Sequence, residues 1–292
     1  MSESLLQVND VAALQATCQQ WRVAGERIAF VPTMGNLHEG HLQLVDLARS
    51  KADRCVVSIF VNPTQFGLNE DFSEYPRTLE KDCELLAAHD ADLVFLPSVE
   101  ALYGDNISSD IHVPVELTNK LCGLNRPGHF DGVATIVAKL FDAVKPNTAI
   151  FGNKDYQQIQ VIHWLVKHLA LKIKVIGAPI VREDDGLAMS SRNQYLTAAE
   201  RQRASRLHQV LESISDSLQA GRRDFTVIED EVATVLNKTG WQVDYVQILD
   251  PNLAPPRLKG RDYMILAAAS LGATRLIDNL RCHISAGFRN RK

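Results

Sequence analysis

Short apolar, largely β-branched runs alternate with amphipathic stretches through the first 180 residues. Ile28–Val31 reads as a strand that stops at Pro32, after which Leu42, Val45, Leu47 and Ala48 recur at helical spacing. Cys55–Val61 is a second strand, followed by a helix over Leu79–Ala88 and a strand at Asp92–Leu96. A helix is expected near Val133–Val144 and a strand at Thr148–Phe151. Ile159, Ile162, Val166 and Leu169 share one helical face, and Lys172–Pro179 closes the series as a strand. Strands that alternate with helices pair in parallel. Fully apolar strands such as Val56–Val61 suit a sheet covered on both faces.

Arg182–Gly186, with three consecutive acids and a glycine, interrupts this order. Beyond it Leu207, Val210, Leu211, Ile214 and Leu218 mark an amphipathic helix, and Phe225–Leu236 another. Strands follow at Val243–Leu249, Tyr263–Ala269 and Thr274–Ile277. The expected fold class is therefore α/β: a Rossmann-like doubly wound parallel sheet over 1–184, and a second, smaller α+β domain over 185–292, hinged at about residue 185.

The chain has 292 residues, 46% apolar and 23% charged, with a net charge of −4. Its sequence pI is about 6.1 and its mean hydropathy −0.10. These values are ordinary for a folded globular protein and exclude wholesale disorder. Met264–Ala273, about the most apolar ten residues, falls short of the roughly 18 that cross a bilayer, and Met1–Asp10 has no basic-then-apolar leader pattern. No membrane association is expected. The acidic balance argues against a nucleic-acid partner, yet a few local Arg and Lys suffice to gather anionic small substrates. Five scattered cysteines, Cys18, Cys55, Cys83, Cys122 and Cys282, include no C-x-x-C pair. That fits a reduced cytoplasm and offers neither a disulfide framework nor a structural zinc site. Cys55 reads as a buried strand residue.

Five polar clusters carry the candidate chemistry. The densest runs from Phe30 to His41, where a glycine turn leaves a parallel strand and delivers a helix N-terminus to the carboxyl edge of the sheet. Free backbone N–H groups and the helix dipole favour phosphate there. His38 and His41, three apart, point the same way and donate hydrogen bonds without a fixed charge. A turn-and-cap segment with two exposed histidines is the plainer reading. His-Glu-Gly-His lacks the spacing of a zinc-binding His-Glu-x-x-His. In Phe60–Phe66, Asn62 and Gln65 would overlook the same crevice with amides that both donate and accept, but on these residues alone a Pro-containing turn with polar side chains is the preferred reading. Arg126, in Arg126–Gly132, is suited to a carboxylate or phosphate, while Asp131 reads as a helix cap. In Phe151–Gln158, Lys154 is placed to meet phosphate oxygens, and Asp155 with Gln158 makes a capping-box pattern. Met189–Arg192 sets two hydroxyls and an arginine after the hinge, suited to closure over a polyphosphate, or to a polar loop leading into a Thr197–Glu200 capping box.

In this order the clusters resemble the pantoate–β-alanine ligase (pantothenate synthetase) family over nearly the whole chain. The shared residues are Pro-Thr-Met-Gly and His-x-Gly-His at 32–41, Phe-Val-Asn-Pro-x-Gln-Phe at 60–66 and Arg-Pro-Gly-His-Phe at 126–130. They continue with Gly-x-Lys-Asp-Tyr-Gln-Gln at 152–158 and Asp-Gly-Leu-Ala-Met-Ser-Ser-Arg-Asn at 185–193. His-x-Gly-His alone marks only the wider nucleotidylyl-transferase superfamily. The resemblance implies ATP-dependent ligation of pantoate and β-alanine through a pantoyl adenylate, with Mg²⁺ accompanying the nucleotide; no protein ligand to the metal is assigned. It implies ATP contacts from Met34, Gly35, Asn36, Leu37, His38, Glu39, Gly40 and His41, with His41 as proton donor. Further ATP contacts are implied for Gly152, Asn153, Lys154 and Asp155, for Val181 near the adenine, and for Met189, Ser190, Ser191 and Arg192. Gln65 would bind both pantoate and β-alanine, and Gln158 pantoate. Catalysis would fall to His38, His41, Lys154 and Arg192, with Asn62 and Arg126 assisting substrate binding, and a homodimer through the larger domain is implied. Two positions depart from the pattern, Asn153 and Cys122, where relatives commonly carry Glu. A plain adenylyl transferase of the same superfamily is the alternative function.

Overall fold

The computed structural model describes residues 5–67 and 71–285, and the elements below are those of the described residues. The chain divides into two compact units, Met1–Ile180 and Val181–Lys292.

The first unit runs β1 (Leu6–Val8), α1 (Val11–Val23), β2 (Ile28–Thr33), α2 (Glu39–Arg49), β3 (Arg54–Ile59), α3 (Leu79–Ala88) and β4 (Leu93–Phe95). Short helices α4 (Val99–Tyr103), α5 (Val115–Thr118) and α6 (Leu121–Asn125) precede α7 (His129–Val144), β5 (Thr148–Gly152), α8 (Tyr156–His168) and β6 (Lys174–Ala178). Single 3-10 turns occupy Pro63–Gln65 and Asn153–Asp155. All six strands pair in parallel, in the order β1-β4-β3-β2-β5-β6. From β2 the chain steps outward through β3 to β4, then returns to lay β5 on the other side of β2. The strand order thus reverses between β2 and β5, and the carboxyl ends of these two strands mark the place where ligands bind in open α/β sheets.

Strand alternation explains why these runs are apolar throughout. Phe30, Val56, Leu93 and Phe95 point to one face, where Leu14, Cys18, Phe141, Ile162 and Leu165 cover them. Ala29, Val31, Cys55, Val57 and Val94 point to the other, against Leu44, Val45, Ala48 and Leu86. A parallel sheet with both faces buried needs this continuous apolarity. Cys55 is fully buried, and burial pushes its thiol up to about 12.

The second unit contains α9 (Ala198–Ala204), α10 (Arg206–Gln219), α11 (Phe225–Lys238) and an antiparallel sheet in the order β7 (Trp241–Leu249), β8 (Asp262–Leu271), β9 (Thr274–His283). Leu207, Leu211, Ile214 and Leu218 of α10 pack with Ile228 and Leu236 of α11 and with Tyr263, Ile265 and Leu271 of β8. The Thr197–Glu200 capping box forms at the start of α9, with both reciprocal hydrogen bonds present. Among the described residues, no helix is long and apolar enough to cross a membrane.

Several expectations needed adjustment. β3 ends at Ile59 rather than Val61, because Asn62 already caps the following 3-10 turn. β9 runs on to His283, well past Ile277, since its pairing with β8 continues to Asp262. β1 and α1 were unanticipated: β1 has only three residues, and α1 buries only Leu14 and Cys18.

The start of α7 is set by a close backbone approach. A methyl group on Gly132 would collide with the carbonyl of Thr64, and Asn62 Nδ2 donates to the Gly132 carbonyl at 3.2 Å. Gly132→Ala is therefore expected to destabilise the first unit by about 1–3 kcal/mol through overpacking, measured by urea unfolding. Unchanged stability would mean that α7 and the Pro63–Gln65 turn are not in tight contact.

Candidate active site

The turn between β2 and α2 is shaped by two residues of positive φ, Gly35 (83°) and Asn36 (50°). Gly35 admits no side chain, because a Cβ there would lie 2.9 Å from Ile59 Cγ2. The backbone N–H groups of this turn are occupied from within the protein. Gly35 donates to Thr33 Oγ1 at 3.3 Å, Asn36 to Asp82 Oδ2 at 2.9 Å and Leu37 to Asp82 Oδ1 at 2.8 Å. Those groups are therefore not the free phosphate donors that the turn-and-helix pattern suggested.

The histidines do double duty at the helix start. His38 is the N-cap of α2, and its Nδ1 accepts from Gly40 N–H at 3.1 Å. His41 Nδ1 accepts in turn from His38 N–H at 3.3 Å, completing a reciprocal cap made of two imidazoles. A ring nitrogen that accepts carries no proton, so both rings are Nε2–H tautomers. Each ring then has its one N–H donor on the nitrogen turned away from the backbone. The ring centroids lie 4.1 Å apart. Burial lowers the His38 pKa to about 4, assisted by the positive charge of Lys154. Burial, the neighbouring His38 and Lys154 lower that of His41 to about 3. At neutral pH the pair is uncharged, so a proton donor of imidazolium type is absent and a pair of neutral hydrogen-bond donors takes its place.

Lys154 reaches this pair because β5 lies beside β2, with Ala29 opposite Thr148 and Phe30 opposite Ala149. Its 3-10 turn, Asn153–Asp155, follows β5 directly. Asn153, one of the two departures from the family pattern, packs its side-chain oxygen over Gly177 of β6, where a Cβ would leave it no room. Asp155 occupies the N-cap of α8 without a side-chain cap hydrogen bond, so the expected capping box with Gln158 does not form. Its backbone, at φ −91° and ψ 58°, is not extended as a side-chain cap requires. Gln158 is half-buried, whereas Gln157 is buried and ties α8 to the Leu117 and Lys120 carbonyls at 2.8 and 3.0 Å.

At the end of β3 the amides part company. Asn62 is fully buried: its Oδ1 accepts from Tyr103 OH at 2.7 Å and from Thr64 Oγ1 at 3.1 Å, and its Nδ2 donates to Gly132. It does not overlook the crevice as expected, and instead builds the wall that carries Gln65. Gln65 is half-buried, and its carbonyl accepts from Arg126 Nη2 at 3.1 Å and His129 Nδ1 at 2.8 Å. Arg126, expected on a substrate anion, thus directs Nη2 at the backbone of Gln65 and Nη1 at His129 Nε2, 3.1 Å away. Asp131 does not cap α7, whose N-cap is Gly128. It accepts instead from Val113 N–H at 2.9 Å.

In the second unit, Val181–Met189 forms a small hairpin. Met189 N–H donates to the Val181 carbonyl at 2.9 Å, and Arg182 pairs with Ala188. Val181 and Met189, far apart in the motif, are therefore neighbours. Arg182 anchors the hairpin through Asp278 of β9, at 2.8 and 3.0 Å, and through the Gly186 carbonyl at 2.9 Å. Ser190 then caps the 3-10 turn containing Ser191 and Arg192, accepting from Arg192 N–H at 3.3 Å.

Sequence reasoning passed over three contributors: Asp82, His129 and Asp278. The readable signal for Asp82 was a carboxylate on the apolar face of α3, one residue before Cys83 and four before Leu86. Asp278, followed by Asn279, similarly interrupts the apolar positions of the Leu276–Leu280 run.

The histidine arrangement makes stability depend on pH. Both folded-state values lie below 6.5, so between pH 6.5 and about 3 the unfolded chain binds more protons than the folded one. The resulting stability is present at pH 7 and is lost as pH falls through that window. In ¹⁵N-detected NMR, the His38 and His41 rings are expected to stay neutral Nε2–H tautomers from pH 8 down to about 5. Either ring titrating near 6.5 would contradict the reciprocal cap.

Residues 6–281 match the family model described as pantoate-beta-alanine ligase. Pantothenate synthetase of Methylococcus capsulatus is 50% identical over 94% of this chain and 96% of its own. That of Stenotrophomonas maltophilia is 51% identical over 93% and 98%. Among solved structures, pantothenate synthetase from Thermus thermophilus is 41% identical, with a TM-score of 0.89 over 94% of this chain and 99% of that one. Pantoate-beta-alanine ligase from Francisella tularensis, complexed with beta-gamma ATP and beta-alanine, is 35% identical, with a TM-score of 0.81 over 94% and 97%.

Proposed function

The chain belongs to the pantoate–β-alanine ligase family, and from that premise we propose that it joins (R)-pantoate to β-alanine, giving pantothenate, AMP and pyrophosphate. The observation that carries this reading is the pair of neutral imidazole donors beside Lys154 at the β2–β5 switch point.

In the first step a pantoate carboxylate oxygen attacks the α-phosphorus of ATP, and the bond to the bridging oxygen of pyrophosphate breaks. Nucleophile and electrophile are both anionic, so the protein must neutralise charge and fix geometry. Lys154 supplies a positive charge, while the Nε2–H groups of His38 and His41 supply directional donors to the phosphate oxygens. Neutral rings hold two donors with centroids 4.1 Å apart without mutual repulsion, and charge neutralisation is left to Lys154. In the second step the β-alanine amine attacks the acyl carbon of pantoyl adenylate, the acyl–oxygen bond breaks and AMP leaves. No covalent enzyme intermediate is required.

Gln65 and Gln158 are assigned to the substrates. Asn62, Arg126 and His129 support that role by holding the Gln65 backbone. The ATP assignment extends over Met34–His41 and Gly152–Asp155, and in the second unit over Val181 and Met189–Arg192, with Arg192 adding charge. Two imidazole N–H donors and an ammonium fit phosphate oxygens and do not fit a hard cation. Among the described residues no group of three His, Cys, Asp or Glu is placed to hold a metal. Mg²⁺ is assigned to ATP as its counter-ion, where it would spread the charge of the phosphates. A cytoplasmic homodimer completes the reading, the dimer being testable by sedimentation.

Enzyme, ATP and pantoate are expected to yield pantothenate only when β-alanine is added. An adenylate product that β-alanine leaves unchanged would instead favour a plain adenylyl transferase. His41→Ala and Lys154→Ala should each lower turnover at least about tenfold, roughly 1.4 kcal/mol of barrier. The two differ in stability: His41→Ala also removes half of a helix cap, at about 1 kcal/mol, whereas Lys154→Ala leaves that cap intact. Wild-type turnover in either variant would remove that residue from the mechanism.

A further inference from the structure

We infer that Asp82 is a positioning residue for nucleotide binding: its carboxylate clamps the β2–α2 turn from behind and sets the place from which His38 and His41 reach ATP. This deepens the reaction assignment above and rests on the role given there to the two histidines.

Asp82 lies on α3 and is 1% exposed. A buried carboxylate needs donors to stay in place, and three converge on it. Asn36 N–H meets Oδ2 at 2.9 Å, and Leu37 N–H meets Oδ1 at 2.8 Å. Thr78 Oγ1 donates to Oδ1 at 3.1 Å. The turn through Gly35 and Asn36 directs the successive N–H groups of Asn36 and Leu37 toward a common point, a concavity suited to an anion. In this chain the concavity already holds an anion, and that anion is Asp82. The turn is therefore formed in advance of the nucleotide and does not depend on a phosphate for its shape. The next residue after the clamp is His38, so any shift of Leu37 passes directly to the N-cap ring and, through the reciprocal cap, to His41. Clamping by a carboxylate also turns the N–H groups of Asn36 and Leu37 away from ligand, which leaves recognition to the side chains.

The test compares ATP with the other two substrates. Asp82→Asn keeps the shape but sets an NH₂ group against one of the two backbone donors. The expected result is a rise of at least about tenfold in the ATP KM and in the ATP Kd measured by calorimetry with ATP alone. The KM values for pantoate and β-alanine should stay within about twofold, and the ¹⁵N signals of His38 and His41 should shift. Thr78→Val removes only the hydroxyl bond to Oδ1, and should raise the ATP Kd about two- to fivefold without touching the backbone donors. A folded Asp82→Asn protein with wild-type ATP affinity, or with a loss spread equally over all three substrates, would overturn the clamp. If Asp82→Asn does not fold, Thr78→Val decides, and an unchanged ATP Kd there counts against the proposal. A wild-type chain that binds ATP but makes no pantothenate would remove the reaction assignment alone, because the Kd comparison still decides the clamp.

Discussion

The parallel pairing of β2 with β5 joins residues about 120 positions apart in sequence, Ala29 opposite Thr148 and Phe30 opposite Ala149. Both strands end at the same edge of the sheet. β2 delivers the histidine turn there, and β5 delivers Lys154. The pairing is possible because the chain wraps both faces of the sheet, with α1, α7 and α8 on one and α2 and α3 on the other. Strand order reverses at this junction, the place where open α/β sheets bind their ligands. Without the β2–β5 contact the histidines would be a helix cap and the lysine a surface charge.

Charge at the site follows from that juxtaposition. Burial, with Lys154 and, for His41, the neighbouring ring adding to it, holds His38 at about 4 and His41 at about 3, so both rings are neutral before the cation is counted. The rings are also fixed in tautomer by the backbone, since each Nδ1 accepts an N–H of the helix start. A single arrangement thus caps α2, selects the tautomer and aims two donors outward. The overall charge of −4 is irrelevant at this scale. The donors are oriented by the fold itself, which is the preorganisation that electrostatic catalysis rewards.

The strand–helix alternation was legible because each β strand is either fully apolar or bounded by turn residues, and helices such as α3 and α10 repeat at 3.6 residues. Motif residues were legible as chemical types: His38, His41, Lys154 and Gln65 sit at strand ends where the pattern put them. The partners of those side chains were not legible, because they depend on contacts remote in sequence. Asn62 faces Tyr103 and Gly132 rather than the crevice, and Arg126 meets the carbonyl of Gln65. Asp131 and Asp155 look like caps in a local window. One is drawn off by the Val113 backbone, and the other sits in a backbone conformation that does not cap. The turn's N–H groups looked available only because the carboxylate that occupies them is 45 and 46 residues away.

Each unit holds its functional loop by the same physical device. In the first, Asp82 receives two backbone N–H groups of the β2–α2 turn. In the second, Asp278, also nearly buried, takes both terminal nitrogens of Arg182, and Arg182 holds the Gly186 carbonyl of the Val181–Met189 hairpin. Glycines give these loops their shape, since Gly35 and Gly186 both have positive φ and neighbours that exclude a side chain. Shape alone leaves a loop free to fluctuate, because glycine is the least constrained residue. A buried carboxylate bonded to that loop removes the freedom, and leaving such an anion without its partner is far costlier than losing an exposed ion pair. Glycine for conformation and aspartate for restraint are therefore complementary halves of one solution. It lets a glycine-shaped loop present its side chains in a fixed place.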